Sequence, residues 1–148
     1  MDIEITRLHP ADQPRWTELW RAYLAFYETV LPDEQYEDTW GRLLHDTLLH
    51  GLAARHDDGT IIGITHFLFH ANAWTTAPVC YLQDLFVDPA VRGGGTGRKL
   101  IEAVADRARA QASTRLYWMT QADNAVARGL YDKIAKETGF VRYFYELG

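Results

Sequence analysis

Only one cysteine, Cys80, occurs in the 148 residues, so no intrachain disulfide can form. Its neighbours Val79, Tyr81 and Leu82 are apolar, which marks a buried thiol rather than a nucleophile. No apolar run is long enough to cross a bilayer, and Met1-Asp2-Ile3-Glu4 lacks the basic and apolar regions of a signal peptide. A cytoplasmic protein with no membrane partner is expected. Basic charge is also short: 15 Lys and Arg stand against 20 Asp and Glu, a net −5 with no basic stripe, which argues against a nucleic-acid partner. Neither HExxH nor CxxC occurs. His66 and His70 are four apart on an expected strand, about 13 Å at roughly 3.3 Å per residue, too far for one shared ion. His9, His45, His50 and His56 have no ligand spacing either, so no metal is expected.

What the chain does have is apolar material for one core. Hydrophobic residues make up 47% of it, and with no repeat, linker or low-complexity segment this suits a single domain over residues 1–148. Ile3-Glu4-Ile5-Thr6-Arg7 alternates and predicts a strand. Trp16, Leu19, Trp20, Tyr23, Leu24 and Tyr27 recur at helical spacing. Leu31-Pro32-Asp33 breaks that helix, and Asp33 is the expected N-cap of a second one bearing Tyr36, Trp40, Leu43, Leu44 and Leu48, with Gly51 ending it. Strands over 52–56 and 60–70 flank the turn Asp57-Asp58-Gly59, and a third runs from Val79 to Val87. A helix over 98–111, a strand over 115–120, a helix from Asp123 or Asn124 to about Glu137 and a terminal strand over 140–145 complete the order. Strand, turn, helix, strand implies a parallel crossover after Val87. The fold class is mixed α/β, α+β-like.

That crossover carries the sharpest motif, Arg92-Gly93-Gly94-Gly95-Thr96-Gly97. Its glycines remove the Cβ atoms that would hold a ligand off the backbone, and a helix start leaves N–H groups without intrahelical partners, so the turn can hold phosphate oxygens. A dinucleotide GxGxxG fails because positions 98 and 100 are Arg98 and Leu100, and a Walker A loop fails because Gly97 is followed by Arg98-Lys99. Arg-x-x-Gly-x-Gly fits, with Arg92, Gly95 and Gly97. With the flanking Leu85-Phe86-Val87-Asp88-Pro89 and Leu100-Ile101, it resembles the acyl-CoA pyrophosphate loop of the GCN5-related N-acetyltransferases, the GNAT superfamily. From Tyr81 onward, Leu116-Tyr117-Trp118-Met119-Thr120 and Asn124 to Tyr131 resemble the branch holding the yeast histone, polyamine and D-amino-acid acetyltransferases.

The resemblance implies a mostly antiparallel central sheet of six to seven strands with about four helices. It also implies that Val79 to Val87 and 115–120 splay to admit a pantetheine arm. It makes acetyl-CoA the donor cosubstrate. Backbone amides of Gly93, Gly94, Gly95, Thr96 and Gly97 would hold the pyrophosphate, with Arg92 and Arg98 adding charge, although Arg98 also suits an ordinary exposed helix position. Leu85, Phe86 and Val87 would meet pantetheine through main-chain groups. Asn124 and Tyr131 are two helical turns apart on one face. Asn124 would contact the cofactor arm or cap its helix, and Tyr131, with a reference pKa of about 10, would give a proton to the departing thiolate.

The amine must also lose a proton, since at a reference pKa near 10.4 on the order of one in a thousand is neutral at pH 7. Similar polyamine acetyltransferases carry glutamate where Gln83 stands, and Gln83 cannot ionise. The expected route is a water relay ending at Asp84 or at an acid of the segment 28–38, while Asp84 as a structural acid is an equal alternative. Gln83 and Asp84 are expected on opposite strand faces by alternation. Tyr27, Glu28, Gln83 and Trp118 are the expected acceptor contacts. The acidic segment and the aromatics Trp16, Tyr23, Tyr27, Trp40 and Trp74 would suit a cationic acceptor, a polyamine, amino acid or lysine side chain, unless the acids are a solvated connection and the rings are core. The competing reading is a non-catalytic acyl-CoA-binding or sensing domain. The apolar terminal strand, an edge unless paired, suggests a homodimer.

Overall fold

Short apolar-rich runs bounded by turns give five strands that lie in the sheet in chain order, in a computed structural model describing residues 2–91 and 93–148. They are β1 (Ile3–Arg7), β2 (His50–His56), β3 (Ile61–His70), β4 (Val79–Val87) and β5 (Leu116–Tyr117). The first four pair antiparallel, and β5 joins β4 in parallel after the crossover. Four helices accompany them: α1 (Gln13–Phe26), α2 (Asp33–His45), α3 (Thr96–Ala110) and α4 (Ala125–Ile134). Residues 1–118 and 119–148 form two compact units.

In the first unit the helical stripes read from the sequence cover the sheet. Trp16, Leu19 and Trp20 of α1 join Tyr36, Trp40 and Leu43 of α2 and Ala53, Ile61, Ile64 and Phe86 of the strands in one buried cluster. Trp16 is fully buried, with its ring 5.1 Å from Trp20 and 4.9 Å from Trp40. Truncating such a side chain to alanine costs about 3–5 kcal/mol. Gly63, next to Ile64, faces the other way, where an added Cβ would stand 3.2 Å from Leu100 Cδ1 and 3.4 Å from Thr96 Cγ2 of α3. Alternation along β3 therefore puts α1 and α3 on opposite faces.

Several expectations are corrected. Gly51 does not end α2; the helix stops at His45, Asp46 takes the left-handed conformation, and Gly51 lies inside β2, where a Cβ would meet Leu8 Cδ1 at 2.7 Å. Pro32, not Asp33, is the N-cap of α2. The strand expected over 115–120 shortens to Leu116–Tyr117, and none forms over 140–145, so the sheet has five strands rather than six or seven. A strand needs a partner for its backbone groups. Composition reports only that side chains suit one, and Phe140 and Tyr143 are each 91% exposed. In the second unit α4 starts at the Asn124 cap, and Arg128 donates to the Ala122 carbonyl at 2.7 Å.

Candidate active site

The turn before α3 has the conformation its glycines permit. Gly93 and Gly95 have φ of 96° and 78°, in the left-handed region that side chains disfavour. A Cβ at Gly93, Gly94 or Gly95 would meet nothing within 4 Å, so the backbone faces open space. Thr96 is buried, yet its Oγ1 has no hydrogen-bond partner among the described residues. An orphaned hydroxyl at the first residue of a 15-residue helix beside bare glycine backbone fits an anionic ligand such as a pyrophosphate. Arg98 is exposed and donates to Glu102 at 3.0 Å, and Arg92 lies outside the described residues.

β4 leads into this turn and is held on one side only for part of its length. The β4–β5 ladder comprises Cys80 with Leu116 and Tyr81 with Tyr117, and it ends there. On the other side β3 runs beside β4 up to Val87, with Leu85, Phe86 and Val87 opposite Thr65, Ile64 and Gly63. Cys80 is fully buried, and burial pushes its thiol up to about 11 against the opposing charge of Arg107. Burial, then the neighbouring Cys80, also raises the Tyr117 phenol, whose Oη lies 2.9 Å from His70 Nε2.

The β3–β4 register shifts by one residue in mid-strand: His66 is opposite Asp84, but Phe67 is opposite Leu82. Gln83 is the extra residue, a β-bulge. This corrects the alternation argument, because a bulge re-aims side chains. Gln83 and Asp84 both border one cavity of about 390 Å³, together with Trp20, Gln35, Arg42 and His66. Tyr23 Oη stands 3.5 Å from the Gln83 carbonyl, and the fully buried Thr65 hydroxyl donates to the Asp84 carbonyl at 2.8 Å. His66 Nδ1 meets Asp84 Oδ2 at 2.8 Å, and the indole N–H of Trp16 donates to His66 Nε2 at 2.8 Å. A carboxylate so held, bordering a cavity that also has a guanidinium and two amides, can take a proton from a cationic ligand.

A larger hollow of about 590 Å³ lies beside Ile5, Arg7, Asp46 and Arg107. There Asp46 is taken by Arg7, His50 and Arg107, which leaves its carboxylate bound to its own neighbours. Burial works against the Asp46 anion, but the His50 hydrogen bond and the charges of Arg107, His50 and Arg7 hold its carboxyl below the usual range.

Of the acceptor residues expected from sequence, Gln83 borders the Asp84 cavity, and the Tyr27 ring packs 5.1 Å from Tyr23, whose Oη stands by the Gln83 carbonyl. Tyr27 is the C-cap of α1, Glu28 follows at φ 54°, and Trp118 lies one residue past β5; none borders the Asp84 cavity. Of the segment 28–38, Asp33 and Glu34 sit in the first turn of α2, where the helix dipole favours them, Glu37 accepts from Gln13, and Asp38 pairs with Arg42. Trp16 and Trp40 are core, whereas Trp74 is 83% exposed beneath the Arg115 guanidinium. In the second unit Asn124 caps α4 through Ala127 N at 3.3 Å, and half-buried Tyr131 follows two turns later. Sequence reasoning missed the bulge, the Trp16–His66–Asp84 array and the part of α2. A lone histidine inside the apolar run Ile64-Thr65-His66-Phe67-Leu68 was the available signal.

A family model described as "Acetyltransferase (GNAT) family" matches residues 16–135. The chain is 37% identical to the D-amino-acid N-acetyltransferase HPA3 of Saccharomyces cerevisiae, over 95% of this chain and 89% of that protein. Among solved structures, a ribosomal-protein-alanine N-acetyltransferase from Brucella melitensis biovar Abortus 2308 superposes with a TM-score of 0.82 at 24% identity, covering 99% of this chain and all of that one. The aminoglycoside N-acetyltransferase AAC(6')-Iy in complex with CoA gives 0.85 at 20% identity, covering 99% and 96%. These two likenesses speak to fold, and the family match and the yeast relative speak to descent. On that ground the chain belongs to the GNAT family and is an acetyltransferase.

Proposed function

We propose that the chain transfers the acetyl group of acetyl-CoA directly to the primary amine of a small acceptor, with a free amino acid as the favoured class. The bulge that brings Asp84 onto the cavity carries this reading. An ammonium has no lone pair to attack a thioester, so one proton must leave it first, and Asp84 receives it directly or through a water. The neutral amine then forms the N–C bond as the C–S bond breaks. The second proton of the nitrogen passes to solvent, while Tyr131 supplies one to the departing sulfur and is reprotonated from solvent. Backbone amides of 93–97 with Thr96 would hold the pyrophosphate, Leu85, Phe86 and Val87 the pantetheine through main-chain groups, and Arg92, Arg98 and Asn124 would add to donor binding. The role of Tyr131 rests on its spacing from Asn124 and on the family resemblance.

Charge complementarity favours an amino acid over a polyamine. Asp84 suits the ammonium, while Arg42, whose Nε goes to Asp38 at 2.9 Å, has four further N–H donors for a carboxylate. The named activity of the yeast relative points the same way. Tyr27, Glu28 and Trp118 remain proposed outer contacts of the acceptor. Residues 1–148 act as one transferase domain, supported by a family match that runs through both compact units. The exposed run 140–145 supports a homodimer built on that segment, and a monomer in sedimentation at micromolar concentration contradicts it.

The test is thiol release from acetyl-CoA across amino acids of both hands, polyamines and a lysine peptide. Faster release with amino acids supports the reading, and faster release with polyamines removes the role of Arg42. Tight acetyl-CoA binding with no release for any amine would instead establish the sensing domain.

A further inference from the structure

We infer that His66 is a positioning residue for Asp84, fixed in its Nδ1–H tautomer by the indole of Trp16. The inference rests on Asp84 being the proton acceptor proposed above, but its geometry stands alone. An indole nitrogen only donates, so His66 Nε2, 2.8 Å away, must accept. A neutral imidazole has one N–H, which therefore sits on Nδ1 and points at Asp84 Oδ2, 2.8 Å away. The bonds run in one direction, from Trp16 to His66 to Asp84. Neither ring can turn: Trp16 and His66 are 0% and 1% exposed, and the imidazole packs 5.9 Å from the Trp16 ring and 5.7 Å from the Trp20 ring. Thr65, one residue before His66, holds the Asp84 carbonyl at 2.8 Å, so consecutive residues of β3 fix both the backbone and the side chain of Asp84. The carboxylate is thereby held through Oδ2, and Oδ1 takes no bond from His66.

The indole has a second consequence. An added proton on His66 would have to enter at Nε2, setting two N–H groups against each other 2.8 Å apart. Trp16 thus excludes the Nε2–H form of the ring and keeps Nδ1–H on the carboxylate. The charged or titratable groups facing this array are Asp84 of β4, Arg42 of α2 at the cavity and Tyr36 of α2, whose ring packs 6.3 Å from Trp16 and 5.1 Å from Trp20. None of these supplies an acceptor to Nε2 in place of the indole.

Nitrogen-15 NMR of the full chain reads the tautomer directly. Nδ1 protonated and Nε2 bare is the expected result; an Nε2–H tautomer overturns the inference. In kinetics, His66→Leu is expected to lower kcat by about tenfold or more with acetyl-CoA affinity unchanged. His66→Asn, whose amide can donate from near the Nδ1 position, is expected to recover most of the loss. Trp16→Phe is expected to give a mixture of Nδ1–H and Nε2–H tautomers in the same spectrum, because nothing then donates to Nε2. Wild-type kcat in a folded His66→Leu, or equal impairment in His66→Leu and His66→Asn, overturns it. If His66→Leu does not fold, the NMR result decides. If no amine is acetylated at all, the proposed function falls, while the tautomer measurement still tests the array.

Discussion

The glycine turn and the Asp84 cavity are served by the same strand and are built by opposite means. The turn uses main chain, with Gly93 and Gly95 at positive φ, no Cβ obstruction and a helix start behind them, all within six consecutive residues. The cavity uses side chains, with Trp20, Arg42, His66 and Asp84 gathered from four separate elements. Backbone recognition is written locally, whereas side-chain recognition exists only once the sheet has assembled. Substitutions at the two places should therefore fail differently, the turn in donor affinity and the cavity in turnover.

The largest expected effect is at the cavity. Asp84→Asn should lower kcat by about 10²–10⁴-fold with acetyl-CoA affinity unchanged, measured by thiol release and by calorimetry of donor binding. Its residual rate should climb with pH, because deprotonated amine then comes from solution instead of from Asp84. A matching loss of donor affinity would erase the distinction between the regions.

Tyr131→Phe should lower turnover by about 10²-fold and again spare acetyl-CoA binding; unaltered turnover removes Tyr131 from the acid role. Gly95→Val sharpens the comparison from the donor side. Forcing a branched side chain to φ 78° costs about 1–2 kcal/mol. The free turn relaxes out of that conformation and donor binding must restore it, so acetyl-CoA Kd should rise roughly tenfold, with the KM for the amine little changed.

The smallest effect concerns the frame rather than either site. Asp12 and Arg55 form a largely buried pair that ties the start of α1 to β2. Burial opposes the Asp12 anion, but the Arg55 hydrogen bond, the His9 amide and the charges of Arg55 and His9 hold its carboxyl below the usual value. With the folded value depressed, the pair's contribution is complete above the unfolded carboxyl pKa of about 3.9 and is lost as pH falls through it toward the folded value. Urea melts of Asp12→Asn should show a loss of about 1–3 kcal/mol at pH 7 that shrinks below pH 4. A loss independent of pH would mean the pair acts through packing alone.

What the sequence made legible follows the same division. β4 is found at the expected residues, and the glycine turn with α3 behind it is where spacing placed it, because each signal lies in one short window. The bulge at Gln83 was hidden, since period-two alternation has no symbol for an inserted residue, and with it the cavity lining was hidden. His66 was weighed only with His70, as a pair too far apart for one ion, because its partners are 50 residues before it and 18 after it. The terminal run 140–145 misled in the other direction, since its β-forming composition says nothing about whether a partner strand is present.

The most direct measurement is the position of the acceptor nitrogen in a ternary complex with CoA and an amino acid. The account predicts that nitrogen in the cavity beside Gln83, within about 3 Å of the Asp84 carboxylate or one water away. An amine seated in the hollow by Arg7 and Arg107, or anywhere that leaves Asp84 without a path to it, would contradict the account.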